Sequence, residues 1–142
     1  MKHLLLAILF LAAGYFGFGQ CGTKVVLTSS QTQHLGADRS IQRTEDEKTV
    51  IEFDKSTITI SPGDNHMTGK VDSTTCNWST PYKVGKTRLK VTITNDQGET
   101  MSATITIEGR DGRIVLLAEL DNMPDDRIQL IADKFEEKKD QK

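Results

Sequence analysis

A surplus of positive charge is missing from this sequence: 18 Lys and Arg stand against 20 Asp and Glu, a formal charge of −2. Nucleic-acid binders gather basic side chains on one face or helix, and no basic block occurs here, so nucleic acid is not an expected partner. Metal-ligand spacing is missing too. His3, His34 and His66 stand apart from one another and from Cys21 and Cys76, whereas a zinc site draws three or four ligands from set intervals. There is no Gly-x-Ser-x-Gly elbow, and Asn95-Asp96-Gln97-Gly98-Glu99 lacks the remaining acidic positions of a calcium loop. Asp64, Asp72 and Glu45-Asp46-Glu47 read as solvated carboxylates. With no catalytic residue, metal site or cofactor motif to build on, a non-enzymatic protein is expected. Aromatic side chains are scarce, 6% of the chain with a single tryptophan, which leaves any buried face to aliphatic residues.

Long apolar runs are also few. The main one, from Leu4 to Phe16, follows Met1-Lys2-His3 and is shorter than the roughly 20 residues that cross a bilayer as a helix. A basic start, an apolar stretch and small residues at Gly17 and Gly19 instead make a secretory signal peptide over residues 1–19, cut before Gln20. Removing 19 of 142 residues leaves 123, enough for one domain (residues 20–142) with one core and a frayed, mixed-charge tail. Cys21 directly follows the cut, which raises lipidation and an outer membrane location. Gln20 breaks the small-residue pattern that lipid attachment normally requires before the cysteine. A secreted or periplasmic protein without a stable membrane span is the preferred reading, with Cys21 and Cys76 joined in one disulfide.

What is abundant is alternation. From Val84 to Leu120 three runs of period-two hydrophobicity are separated by Asn95-Asp96-Gln97-Gly98 and Gly109-Arg110-Asp111-Gly112. Such runs are strands with one buried face, and the Gly-containing breaks supply the positive φ of hairpin turns. Leu89, Val91 and Ile93 share one face; Met101, Ala103, Ile105 and Ile107 the next; Ile114, Leu116, Ala118 and Leu120 the third. Lys24 to Thr28 reads as a first strand, and Thr49 to Phe53 with Ser56 to Ser61 as another hairpin. Ser29 to Lys48, a mainly polar stretch, reads as a loop with at most a short strand near Ile41.

Two segments stay open. Cys76 and Trp78 have the opposite parity to Met67, Gly69 and Val71, so either a bulge near Ser73-Thr74-Thr75 shifts the phase or the two residues face outward. Arg127 to Phe135 fits a short C-terminal helix through Ile128, Ile131, Ala132 and Phe135, or a further strand through Ile128 and Leu130. The fold class is all-β in either case: an antiparallel meander forming a small barrel or strongly curled sheet.

With its signal peptide, cysteine pair and meander, the chain resembles small exported lipocalin-like proteins of bacteria over residues 48–135. The Gly-x-Trp found near the first lipocalin strand is absent, Trp78 lying in mid-chain. The resemblance implies an up-and-down barrel and a site for a small apolar ligand. Leu89, Val91, Ile105, Ile107 and Leu116 are the candidate contacts inside such a barrel. Trp78 and Tyr82, in Trp-Ser-Thr-Pro-Tyr, read either as ligand contacts or as a plug over the disulfide. The competing expectation is a structural or protein-interaction module with a filled core and no ligand.

Overall fold

A computed structural model describes residues 21–138. The expected signal peptide, its cut site and the last residues of the tail lie outside this range. The chain runs through nine strands: β1 (Val25–Leu35), β2 (Ile41–Phe53), β3 (Thr57–Pro62), β4 (Met67–Thr80), β5 (Val84–Thr94), β6 (Thr100–Arg110), β7 (Arg113–Leu120), β8 (Met123–Ile131) and β9 (Lys134–Glu137). Each of the first eight pairs antiparallel with its neighbour in sequence, and β1 pairs with both β2 and β8. The meander therefore closes into an eight-stranded barrel. β8 holds Thr32–Leu35 of β1, and β9 takes over the same edge at Val25–Thr28 after a step at Ala132 and Asp133. The seam is tightened by Gln129 Nε2, which donates to Gln33 Oε1 at 2.8 Å, and by the Asp133 amide, which donates to the Thr28 carbonyl at 2.7 Å.

The alternating runs fall where parity placed them. Leu89, Val91, Ile105, Ile107 and Leu116 are buried, and Leu89 pairs with Ile105, which pairs in turn with Ala118. Asp111 and Gly112, with φ of 54° and 77°, form the two-residue turn between β6 and β7 that a right-twisted hairpin requires. In the β5–β6 turn Asn95 Oδ1 accepts from the amides of Gln97 at 2.9 Å and Glu99 at 3.0 Å, so this loop is a hairpin turn held by its own side chain.

One reading is corrected and two are resolved. Ser29 to Lys48 is not a loop: β1 and β2 extend through it, and the turn is confined to residues 36–40. The reason lies in a bulge opposite Ser30, where two residues of β2, Glu47 and Lys48, stand against one of β1; the register slips between Ser29 and Gln31, and the inward set of β1 moves from Ser29 to Thr32. That phase change, together with polar inward residues on β2, erases the apolar alternation that marks a strand. No helix occurs among the described residues; Arg127 to Phe135 is taken up by β8 and β9. In β4 the register with β5 slips between Val71 and Ser73. This bulge turns Cys76 and Trp78 inward, opposite Thr87 and Gly85.

Candidate functional site

An up-and-down barrel has two ends, and the sequence treats them differently. One end carries the β2–β3, β4–β5 and β6–β7 turns together with both ends of the described chain. There Cys21 and Cys76 are bridged, with Cα atoms 6.0 Å apart across 55 positions. The bulge in β4 brings Trp78 over the same end, and its ring packs 5.5 Å from Phe135 of β9, which in turn meets Tyr82 at 5.2 Å. Gly85 and Gly109 lie beside the indole in register. A Cβ on Gly109 would stand 2.8 Å from the Trp78 ring and 2.5 Å from the Lys83 carbonyl, so the ring depends on these two glycines for its seat. Tyr82 holds its place in the Thr80–Lys83 turn with a positive φ of 61°, following Pro81. Burial pushes its phenol above the ordinary value; a hydrogen bond with Thr23 works in the opposite direction, and Glu137 adds to the rise.

The other end is open. Between the β1–β2, β3–β4, β5–β6 and β7–β8 turns lies a cup of about 330 Å³, at the small end of the roughly 300–1,000 Å³ typical of small-molecule sites. Its deeper walls are Ile51, Ile93, Ile105, Leu116, Ile128 and Leu130, and Met67, Met101 and Leu120 stand nearer the lip. One wall is different. β2 turns Phe53, Ile51, Thr49, Glu47 and Glu45 inward in succession, so its inward face runs from aromatic and aliphatic to hydroxyl to carboxylate. Across from Glu45 in register is Thr32 of β1.

Side-chain pairing at this wall is uneven. Arg43 Nε lies 2.8 Å from Glu45 Oε1, and Arg43 Nη2 stands 3.3 Å from His34 Nε2. Glu47 has no ion pair among the described residues. Thr32 and Thr49 are 6% and 3% exposed, and neither hydroxyl has a hydrogen-bond partner. Buried polar groups are ordinarily paired, which makes these two hydroxyls in a cavity wall unusual.

Of the residues singled out by sequence as ligand contacts, Ile105 and Leu116 line the cup. Leu89, Val91 and Ile107 belong to the packed core beneath it, and Trp78 and Tyr82 sit in the aromatic cluster of the opposite end. Thr32, Glu45, Glu47 and Thr49 were hidden inside the stretch read as a loop. For Glu45, Glu47 and Thr49 the signal that would have found them is parity, since they continue the odd positions Ile51 and Phe53 back along β2; Thr32, on β1 beyond the register shift, carries no such signal. A second concavity of about 490 Å³ lies beside the disulfide, between Val25, Phe53, Thr74 and Thr87, but it is shallower and its rim is formed by charged side chains such as Asp54, Lys55 and Asp72. Among the described residues no group of three or more His, Cys, Asp or Glu is placed to hold a metal ion. Comparison with family models, curated proteins and solved structures gives no match to this chain.

Proposed function

We propose that this is an exported, non-catalytic carrier that holds a small, largely apolar molecule in the cup of its barrel. The observation that carries the reading is the cup itself: an open-mouthed, mostly aliphatic cavity reached from one end, in a barrel whose other end carries the packed cluster of Trp78, Tyr82 and Phe135 and the disulfide. Small barrels either fill with side chains or hold one small ligand, and the space between Ile51, Ile105 and Ile128 supports the second. The alternative, an interaction module with a filled interior, has less support because the mouth half of the barrel is hollow. Likeness to lipocalins rests on architecture alone, since Trp78 lies on β4 and not on β1.

Export is supported by the pairing of the only two cysteines, which suits an oxidising compartment. A soluble form is supported by the outer face of β5, where Lys86, Arg88 and Lys90 are exposed in alternation, the reverse of the apolar belt that a membrane barrel shows to lipid. Among the described residues no helix is long and apolar enough to cross a membrane.

The deciding experiment is native mass spectrometry of protein purified from its own host. A mass increment that disappears on denaturation is expected. Repeated recovery of the bare chain, with no apolar compound able to bind the purified protein, would refute the carrier reading.

A further inference from the structure

We infer that the cup takes an amphipathic ligand tail first and that the polar end it recognises is a protonated amine; this rests on the carrier reading above. Three observations converge on one wall. Thr32 and Thr49 line the cup, and each has a buried hydroxyl with no partner, an unfavourable arrangement that a bound polar group reaching it would relieve. The inward face of β2 passes from Phe53 and Ile51 through Thr49 to Glu47 and Glu45, so apolar surface lies deep and acceptors lie toward the lip. No lysine or arginine lines the cavity.

The choice of head group follows from charge. Glu45 is already matched by Arg43 at 2.8 Å, with His34 Nε2 at 3.7 Å, while Glu47 is left uncompensated at the mouth. A carboxylate head would find no cation on the lining and would face Glu47 in a partly desolvated setting, where like charges repel strongly. A neutral alcohol could satisfy a threonine hydroxyl but would leave Glu47 unmatched. An ammonium has three donors and no acceptor, and the groups on this wall that lack partners are two hydroxyl oxygens and one carboxylate. The apolar side chains Met67, Met101 and Leu120 complete the lip around the neck of such a molecule.

The test compares three probes of equal chain length, decylamine, decanol and decanoate, by titration calorimetry on the mature protein at low salt and neutral pH, below the concentration at which each forms micelles. The amine is expected to bind about tenfold tighter than decanoate, with decanol between them, from attraction of one head and repulsion of the other. Glu47→Gln should bring the three within about twofold, and Glu47→Asp should keep the order. Thr32→Val with Thr49→Val should weaken amine and alcohol together, about fivefold, without lowering the melting temperature, because the hydroxyls removed have no partners within the protein. Decanoate binding as tightly as the amine, or a preference that survives Glu47→Gln, would overturn the inference and leave the carrier reading standing. If none of the three binds, this inference falls as well, and native mass spectrometry of protein from its own host then decides the carrier reading.

Discussion

The indole Nε1 of Trp78 donates to the hydroxyl of Thr87 at 2.7 Å, and that hydroxyl donates in turn to the Cys76 sulfur at 3.5 Å. One buried threonine thus ties the single tryptophan to the disulfide across adjacent strands. A buried indole N–H needs a partner, and Thr87 supplies it at a position that would otherwise be aliphatic. The consequence is a rigid end to the barrel, set by a polar link inside an aromatic plug, with the hollow displaced toward the opposite end.

The glycines that seat this ring give the first prediction. Gly109→Ala places a methyl within 2.6 Å of Ile114 Cδ1 and 2.8 Å of the indole, so the strand or the ring must move. A loss of about 2 kcal/mol or more is expected in urea unfolding, together with a shift in Trp78 fluorescence. Gly98→Ala, in the β5–β6 turn with open space around it, should cost only the strain of its φ of 80°, about 1–2 kcal/mol, and leave the fluorescence unchanged. Equal fluorescence spectra for the two variants would show that Trp78 does not rest on Gly109.

The disulfide closes a loop of 55 positions, which the chain-entropy model values at about 4 kcal/mol. Replacing both Cys21 and Cys76 by Ser should therefore lower stability by a large fraction of what a domain of this size possesses. Intact mass decides the bridge directly: protein alkylated without reductant should take up no label, and reductant should add two. A diacylglycerol mass on Cys21 would instead place the chain on a membrane surface by a lipid anchor.

How far the sequence speaks is visible in two adjacent residues. Parity alone put Ile105 inside and Thr104 outside, and Ile105→Ala should cost about 2–5 kcal/mol as a cavity mutation. Yet Thr104 is only 9% exposed, because its register neighbours on the outer face are the long side chains of Lys90 and Glu119. Thr104→Ala should cost less than Ile105→Ala, about 1 kcal/mol or below, and equal melting temperatures would contradict the face assignment. The meander was legible because hairpin turns and period-two alternation are local properties. The wall formed by Thr32, Thr49, Glu47 and Glu45 was not, since its inward residues are polar and the register shift opposite Ser30 resets the phase of β1 before Thr32. Closure of the barrel was equally out of reach, because it depends on β1 meeting β8 across most of the chain.

Asp54 provides a pH-dependent element at the β2–β3 turn. Its Oδ1 accepts from the amides of Thr57 and Ser56, both at 2.8 Å, and these bonds, Thr57 first, hold its carboxyl below the ordinary value of 3.8. A carboxyl whose folded-state value is depressed contributes stability that is present above 3.8 and lost as pH falls through its lower folded-state value. Asp54→Ala should therefore be less stable than the parent at neutral pH, by about 1 kcal/mol. The gap should narrow as pH is lowered past the carboxylate range. A gap that stays constant down to acid pH would mean that the charge of Asp54 contributes nothing to the turn.

The last prediction separates empty space from packed core. Ala118 faces the cup from β7, paired with Ile105 on one side and Ile128 on the other, and is only partly buried because nothing fills the volume in front of it. In a tight core, Ala→Phe forces neighbours off their rotamers and costs about 1–3 kcal/mol or more. In a hollow of about 330 Å³ the added ring has room, and the apolar area it covers offsets the loss of its own freedom. Ala118→Phe is therefore expected to melt within a few degrees of the parent while cutting the affinity for decylamine or any other cup ligand at least tenfold. The same substitution at Leu116, one turn of the pleat deeper and fully buried, lacks that room and should destabilise. An Ala118→Phe variant that binds as the parent does would move the ligand site out of the cup. One that unfolds as readily as Leu116→Phe would show that the mouth of the barrel is already filled.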